Sequence, residues 1–191
     1  VAYGSETPTI EDPVREGYTF LGWDTEIADT VTKTVTYTAT WERRTYTVTG
    51  KLFQNGKAVM KADGTSHYTE SISGKFGQTI DYTPLKIWAE ELVAGFDAEN
   101  VPTRVEAKVY KDGGTWTPEE TFGELGKSPV YVMVDVTTYY TVTYSDGVND
   151  TPLEVFADVA YGSETPTIDD PVREGYTFLG WDTEIADTVT K

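Results

Sequence analysis

Short segments in which aromatic or aliphatic residues alternate with threonine recur along the chain. Residues 140–144 (YTVTY) follow a two-residue period with strong β propensity, and this pattern predicts a strand. Asp146 and Gly147 then form a turn signal, and residues 153–160 predict the returning strand. The pattern therefore indicates a β-hairpin.

Two further strands are predicted from aromatic-rich runs. Residues 175–181 (GYTFLGW) predict a compact strand, and residues 34–41 (TVTYTATW) predict a strand that closes the same module. Strict alternation would place two sets of side chains on opposite faces of the first strand: Tyr176, Phe178 and Gly180 on one, and Thr177, Leu179 and Trp181 on the other.

The middle of the chain shows similar strand patterns and one helical segment. Asn55 and Gly56 predict a hairpin turn, and residues 86–96 (KIWAEELVAGF) carry apolar residues, from Ile87 to Phe96, at helical spacing. Because no other helical period of useful length occurs, we expect a mainly β fold (α+β at most). The strands predicted in this part are 66–73, 78–82, 104–110 and 130–136.

An internal repeat divides the chain. Residues 1–33 and 159–191 are identical except that Glu11 in the first copy corresponds to Asp169 in the second, at an offset of 158 residues. We therefore expect tandem small repeats flanking a larger β-rich domain with one short helix. The expected parts are the C-terminal part of one repeat at 1–41, the intervening domain at 42–137, and the next copy, lacking its last strand, at 138–191.

The run P-x-R-E-G-Y-T-F-x-G-W occurs at residues 13–23 and again at 171–181. Together with YTVTY before it and TYTATW after it, this run resembles the Listeria–Bacteroides repeat, the B-repeat type of internalin-like surface proteins, over residues 1–41 and 138–191. The resemblance implies a small β-grasp, ubiquitin-like fold that serves as a tandem element in secreted or wall-attached bacterial proteins. It does not extend to the intervening segment, which lacks the GYTFxGW core.

Charge and composition narrow the classes of partner. The chain has 15 basic and 32 acidic residues, a formal net charge of −17, which repels nucleic acid and anionic membrane surfaces. No run approaches the ~20 apolar residues of a membrane span. The absence of cysteine excludes disulfides, thiolate metal sites and cysteine nucleophiles. We expect neither nucleic acid binding nor membrane insertion of this segment.

Candidate chemistry is sparse. His67 is the single histidine and lies in a strand-like segment without a nucleophile-elbow motif, so a surface role is favoured over catalysis. One histidine without cysteine cannot supply a usual zinc site. Carboxylates cluster in two turns, near Asp146 and near Asp182, but neither follows the ligand order of an EF-hand, and turn chemistry explains them. We expect no enzyme, no catalytic or metal-binding residues and no cofactor.

The aromatic residues leave two interpretations open. Trp23 and Trp181 could stack on a sugar, but a buried anchor in a small module is favoured, and we expect Tyr176, Phe178 and Trp181 to be largely buried. Trp116 stands in a loop flanked by glycine and proline, where an exposed aromatic would contact a ligand. Trp116 is therefore the candidate ligand-contact residue.

These observations favour a structural spacer or stalk of an extracellular, wall-attached bacterial adhesin-type protein. The alternative is a binding module, in which the middle domain captures a host glycan or protein. The expected partners are neighbouring repeats of the same protein. Since the first copy lacks an equivalent of residues 138–158 and the second lacks an equivalent of residues 34–41, we also expect head-to-tail strand complementation between chains.

Overall fold

In the computed structural model of the chain, the described residues are 1–111, 123–127 and 131–190. They form eight strands and one helix: β1 (Tyr18–Trp23), β2 (Ala39–Arg43), β3 (Thr45–Gln54), β4 (Lys57–Ala58), β5 (Thr69–Lys75), α1 (Thr83–Ala94), β6 (Arg104–Lys111), β7 (Tyr131–Tyr144) and β8 (Glu154–Ala160). Strands dominate these residues, so the expected mainly β fold class with one short helix is confirmed.

The strands form two sheets. β1 and β2 make a two-stranded antiparallel sheet. In the second sheet β4, β3, β7 and β6 lie side by side in that order, while β5 also pairs with β3 and β8 with β7. β3 runs parallel to β7, and β6 and β8 run antiparallel to it.

β7 is the longest strand, and neighbouring strands pair along much of it. Its residues 132–136 (VMVDV) are buried without alternation, as is typical of a strand covered on both faces. The sequence predicted separate strands at 130–136 and 140–144, whereas the structure joins them into one strand of 14 residues. The hairpin predicted from the second of these runs is confirmed as β7 and β8.

The helix begins earlier than the sequence pattern predicted. α1 starts at Thr83 with a proline in its first turn and ends at Ala94, not at residue 96. Its buried stripe is Leu85, Ala89 and Val93, spaced by four residues, whereas Ile87 is exposed. The predicted helix is therefore correct in kind but wrong in its buried face, because the stripe begins at a residue that lies before the predicted start.

Two of the other strands predicted in the middle segment are found, and one is not. The strand predicted at 104–110 is confirmed as β6, and that at 66–73 is found three residues later as β5. Residues 78–82 do not form a strand: Thr79 makes a single bridge to Glu124, and the chain then enters α1. The pattern alternates there, but no neighbouring strand among the described residues runs alongside it.

A side-chain and backbone network holds the turn between β3 and β4. Asn55 has a left-handed φ of 49°, its Nδ2 donates to Thr138 Oγ1 at 2.9 Å, and its Oδ1 accepts from the Thr138 N–H at 3.0 Å. Gly56 N–H donates to Asp135 Oδ1 at 3.0 Å. Burial raises the pKa of Asp135, and the Gly56 hydrogen bond opposes part of that rise. The predicted Asn-Gly turn is thus confirmed and anchored on β7.

The chain divides into two compact units. The first contains the described parts of residues 1–48, 72–81 and 121–130, and its buried side chains are Val48, Ile80 and Leu125. The second contains the described parts of residues 49–71, 82–120 and 131–191. Its largest fully buried side chains are Leu52, Leu85, Val93, Val132, Val134, Val136 and Thr138.

Candidate functional site

In the first repeat copy, the aromatic strand β1 pairs with the closing strand β2. The register runs from Tyr18 opposite Arg43 to Trp23 opposite Ala39, with a bulge between Phe20 and Gly22. The sequence placed the closing strand at 34–41, and the structure finds it slightly later, at Ala39–Arg43. The closing strand is the element that pairs with the GYTFLGW core.

The bulge at Gly22 changes which aromatic residues meet. Phe20 packs edge to face on Trp23, with ring centroids 5.4 Å apart, and on Trp41 of β2, at 5.5 Å. Strict alternation would have put the phenylalanine and tryptophan of the core on opposite faces. That expectation is wrong, because the extra residue of the bulge shifts the register by one.

Polar contacts fix β2 against the end of β1. Thr40 Oγ1 donates to the Gly22 carbonyl at 2.7 Å. Asp24 Oδ1 accepts from the Thr38 N–H at 2.8 Å, and the Asp24 N–H donates to the Thr38 carbonyl at 2.8 Å. The Thr38 N–H is the main reason why the pKa of Asp24 lies below its ordinary value.

A side chain from the middle segment covers the start of β1. The ring of Phe76 lies so close to Gly17 that a Cβ there would come within 2.0 Å of it, and Gly17 has a φ of +76°. Phe76 also meets Tyr18 edge to face at 6.2 Å, and Arg43 Nε donates to its carbonyl at 3.2 Å. No sequence signal identified Phe76, since it lies outside the repeat.

The second copy reproduces the internal geometry of the first. Gly180 has a φ of 117°, where Gly22 has 116°. Phe178 and Trp181 keep the edge-to-face ring pair, at 5.2 Å. The hydrogen bond from the Gly4 N–H to the Val31 carbonyl measures 2.7 Å, and so does its counterpart in the second copy, from the Gly162 N–H to the Val189 carbonyl. The backbone angle, the ring pair and this hydrogen bond are therefore the same in both copies.

The second copy also packs on the hairpin that precedes it. The buried ring of Tyr144, at the end of β7, lies 4.9 Å from the ring of Trp181 and 6.3 Å from that of Phe156 on β8. The Tyr144 hydroxyl donates to the Pro166 carbonyl at 2.8 Å. This hairpin supplies one wall of the module.

The other side of the second copy is open. Residues 176–181 have the sequence of β1 but form no strand, and no described residue pairs with them as β2 pairs with β1. A groove of about 1140 Å³ lies here, lined by both the hairpin and the second copy, including Leu153, Phe178 and Trp181. The feature that distinguishes the two copies is thus an unpaired edge over an aromatic groove.

Burial in the second copy follows from this open edge. Tyr176 is 68% exposed and Leu179 96% exposed, while Phe178 and Trp181 are only half-buried. The expectation that Tyr176 is largely buried is therefore wrong. Its counterpart Tyr18 is half-buried because it lies in a paired strand and meets Phe76, and neither contact is made by Tyr176.

The remaining candidate residues do not gather into a chemical site. Trp116 lies outside the described residues. His67 stacks near Phe53, with centroids 5.5 Å apart, and its buried Nδ1 has no hydrogen-bond partner among the described residues. Asp146 accepts hydrogen bonds from the N–H groups of Val148 and Asn149, which lower its pKa. The turn itself therefore uses this carboxylate.

At 12 residues, α1 is too short to span a membrane, and the described part of the chain contains no helix that is long and apolar enough to do so.

Comparison with known proteins gives one family. Neither the curated proteins nor the solved structures contain a match. The model of the Listeria-Bacteroides repeat domain matches residues 1–51 and 140–191, together more than half of the chain. Both matched stretches include the GYTFLGW core whose geometry is described above. The chain belongs to the Listeria-Bacteroides repeat domain family.

Proposed function

We propose that this chain is a non-catalytic stalk segment of an extracellular, wall-attached bacterial adhesin-type protein. Repeats of this family occur in bacterial surface proteins. In the proposed role, successive repeats and intervening domains hold a distal adhesive domain away from the cell wall. The partners of each repeat are its neighbours in the same protein.

The near-identity of the two copies carries this proposal. Over 33 residues they differ at one position, Glu11 against Asp169, and they share the same turns and ring pairs. A spacer gains length by duplication, and its function places no demand on the copies to diverge.

The net charge of the chain supports the stalk role, and the surroundings of its single histidine support a non-catalytic one. A net charge of −17 makes neighbouring stalks repel one another and keeps the surface from collapsing on itself. The His67 Nδ1, which a catalytic triad would use to hold the imidazole in orientation, has no such partner among the described residues.

The stalk proposal is tested by measuring how the maximum dimension of the protein grows with the number of repeat periods. Chains with one, two and three copies of the 158-residue period are compared by small-angle X-ray scattering. A stalk adds a constant increment to the maximum dimension with each period, whereas a compact assembly would grow far more slowly. The measurement is repeated at ~1 M salt, where the Debye length falls to ~3 Å, so that charge repulsion is separated from built-in rigidity. A maximum dimension that does not increase with each added period would contradict the proposal.

A second candidate function rests on Trp116. Glycines before Trp116 and a proline after it are a sequence pattern that predicts a loop, and an aromatic side chain there would offer a flat contact for a host glycan or protein. Binding is screened on a glycan array and by pull-down with the whole chain. Loss of binding in Trp116→Ala, with retention in Trp88→Ala, which removes the same side chain from α1, would favour this function over the stalk alone.

A further inference from the structure

We propose that the Asn55-Gly56 turn is a latent deamidation site, which hydrogen bonds to β7 keep unreactive and which reacts once the turn opens. The reaction replaces the Asn55 amide by a carboxylate, so it leaves a permanent chemical record that the turn has been open. This inference concerns a modification of the chain itself and does not depend on the stalk role.

The sequence provides the reactive pair. The backbone nitrogen of the residue after an asparagine can attack the side-chain Cγ. The N–Cγ bond forms, the Cγ–Nδ2 bond breaks, and ammonia leaves with the proton of that nitrogen; water then opens the cyclic imide to aspartate or isoaspartate. Glycine hinders this attack least because it has no Cβ. Asn55 is the asparagine that precedes glycine, whereas Asn100 and Asn149 precede valine and aspartate.

The Asn55 amide is bound to β7 through both of its polar atoms. Nδ2 donates to Thr138 Oγ1 at 2.9 Å, and Oδ1 accepts from the Thr138 N–H at 3.0 Å. Because both bonds go to one residue, they fix the plane of the amide. Thr138 is fully buried, so solvent does not compete for these bonds while the turn is closed. Since Nδ2 is the leaving group, the reaction also requires that its bond be given up.

The Gly56 nitrogen points away from this amide. Its N–H donates to Asp135 Oδ1 at 3.0 Å. The electron pair that attacks is the one left when the N–H loses its proton, so in the closed turn it points toward Asp135 and not toward Cγ of Asn55. A carboxylate beside the nitrogen also opposes the negative charge that develops there. The peptide unit must therefore rotate, with loss of this bond, before the ring can close.

The turn lies where two strands meet on one edge of β7. β6 pairs along the other edge, while β3 pairs with residues 131–136 and β8 with residues within 139–144. Thr138 falls between these two stretches. Its N–H bonds to Asn55, and its carbonyl accepts from the Tyr161 N–H at 2.9 Å. Asn55 therefore completes the hydrogen bonding of β7 at the point where β3 has ended.

Deamidation would weaken this junction. The product adds a negative charge to a half-buried turn that already binds the buried Asp135. It also removes the Nδ2 donor of the bond to Thr138, and isoaspartate lengthens the backbone by a methylene group. Both changes disfavour closure of the turn in its original register.

The rate in the folded chain is set by how often the turn opens. When closing is faster than the chemical step, the folded rate is the unfolded rate multiplied by the open fraction. The three hydrogen bonds to β7 are lost together on opening. We therefore expect the folded chain to deamidate about a hundredfold more slowly than the unfolded chain.

Deamidation of the full chain is followed by peptide mass spectrometry in mildly alkaline buffer, with and without denaturing guanidinium chloride. We expect Asn55 to be the first asparagine converted in denaturant and to react about a hundredfold more slowly without it. Equal rates under the two conditions would overturn the protection by β7. Earlier conversion of Asn100 or Asn149 in denaturant would overturn the assignment of the site.

A matched pair of variants tests the role of β7. Thr138→Val removes the hydroxyl that accepts from Asn55, and Thr143→Val makes the same change at an exposed position of the same strand. We expect Thr138→Val to accelerate deamidation of the folded chain about fivefold and Thr143→Val to leave it unchanged, with equal rates for all chains in denaturant. Hydrogen exchange of β6 reports whether each variant keeps the sheet folded. Equal effects of the two substitutions in folded chains would overturn the proposal, and the comparison of the parent with and without denaturant decides it even where Thr138→Val fails to fold.

The effect of the modification is measured on the same material. Chains converted at Asn55 in denaturant are refolded, and hydrogen exchange of residues 49–58 is compared with that of unconverted chains treated in the same way. We expect exchange in this stretch to be at least about tenfold faster after conversion. Equal protection would overturn the inference that deamidation weakens the junction.

Discussion

Two glycines at equivalent positions of the repeat meet different surroundings, and alanine at each should reveal the difference. Gly17 and Gly175 have nearly the same backbone, with φ of 76° and 79°. A Cβ at Gly17 would lie 2.0 Å from the ring of Phe76, while a Cβ at Gly175 would meet nothing within 4 Å. The same substitution therefore introduces backbone strain at both sites but a steric clash only at the first.

The expected loss of stability is the sum of the backbone strain and the steric clash. An alanine forced into the left-handed region costs about 1–2 kcal/mol, and this applies to both variants. At Gly17 the ring of Phe76 must also move, and overpacking of this kind adds about 1–3 kcal/mol. We expect Gly17→Ala to destabilise the first copy by about 2–5 kcal/mol. Gly175→Ala should destabilise the second copy only by the backbone strain of about 1–2 kcal/mol.

Native-state hydrogen exchange with mass spectrometry can measure each copy separately. Peptides that contain Glu11 differ by one methylene group from their counterparts with Asp169, so the two copies are distinguished within one sample. Phe76→Ala provides the control: in that background Gly17→Ala should retain only the strain term, and the double-mutant cycle isolates the contact. Equal losses of protection for both glycine variants would refute the described contact.

Three further predictions concern β7 and metals. Asp135→Asn is expected to be more stable than the parent at pH 7: burial raises the folded-state pKa above the ordinary 3.8, so the parent loses stability as pH rises from 3.8 through that raised value. Urea midpoints that differ equally at pH 3 and pH 7 would contradict it. Asn55→Gly keeps the left-handed turn but removes the acceptor for the buried Thr138 N–H, and should lower the free energy of unfolding by about 1–3 kcal/mol; an unchanged urea midpoint would exclude that role. Thermal melts with excess calcium and with chelator are expected to coincide, and a shift of several degrees would show that a metal contributes to folding.

Sequence patterns predicted the strands best where two-residue alternation coincided with turn residues. The hairpin β7–β8 and the Asn55-Gly56 turn are both found close to their predicted positions. The two runs predicted at 130–136 and 140–144 belong to the single strand β7, which the sequence analysis missed because Thr137 to Tyr139 interrupt the apolar alternation, although these residues carry no turn signal. A long strand is continuous when its neighbours are, and the pairing of β6 along this stretch joins the two runs.

The contacts of the repeat were less predictable than its strands. Phe76 lies more than 50 residues from Gly17 and belongs to no repeated motif, so its position could come only from the fold. The Phe20–Trp23 ring pair depends on a bulge at Gly22. A glycine inside a strand pattern often marks a bulge, so Gly22 was the sequence feature from which this bulge could have been predicted.

The two copies separate what local sequence determines from what a partner strand determines. The φ of Gly22 and Gly180, the edge-to-face ring pair and the stacking of Arg15 on Tyr18 at 3.8 Å all recur in the second copy, the last with a distance of 4.0 Å. These features arise within the 33 residues themselves. The pairing of the YTFLGW segment does not recur, because among the described residues no strand lies beside residues 176–181 as β2 lies beside β1. The same six residues are therefore a strand in one setting and unpaired in the other, and the difference comes from the strand that lies beside them rather than from their own sequence.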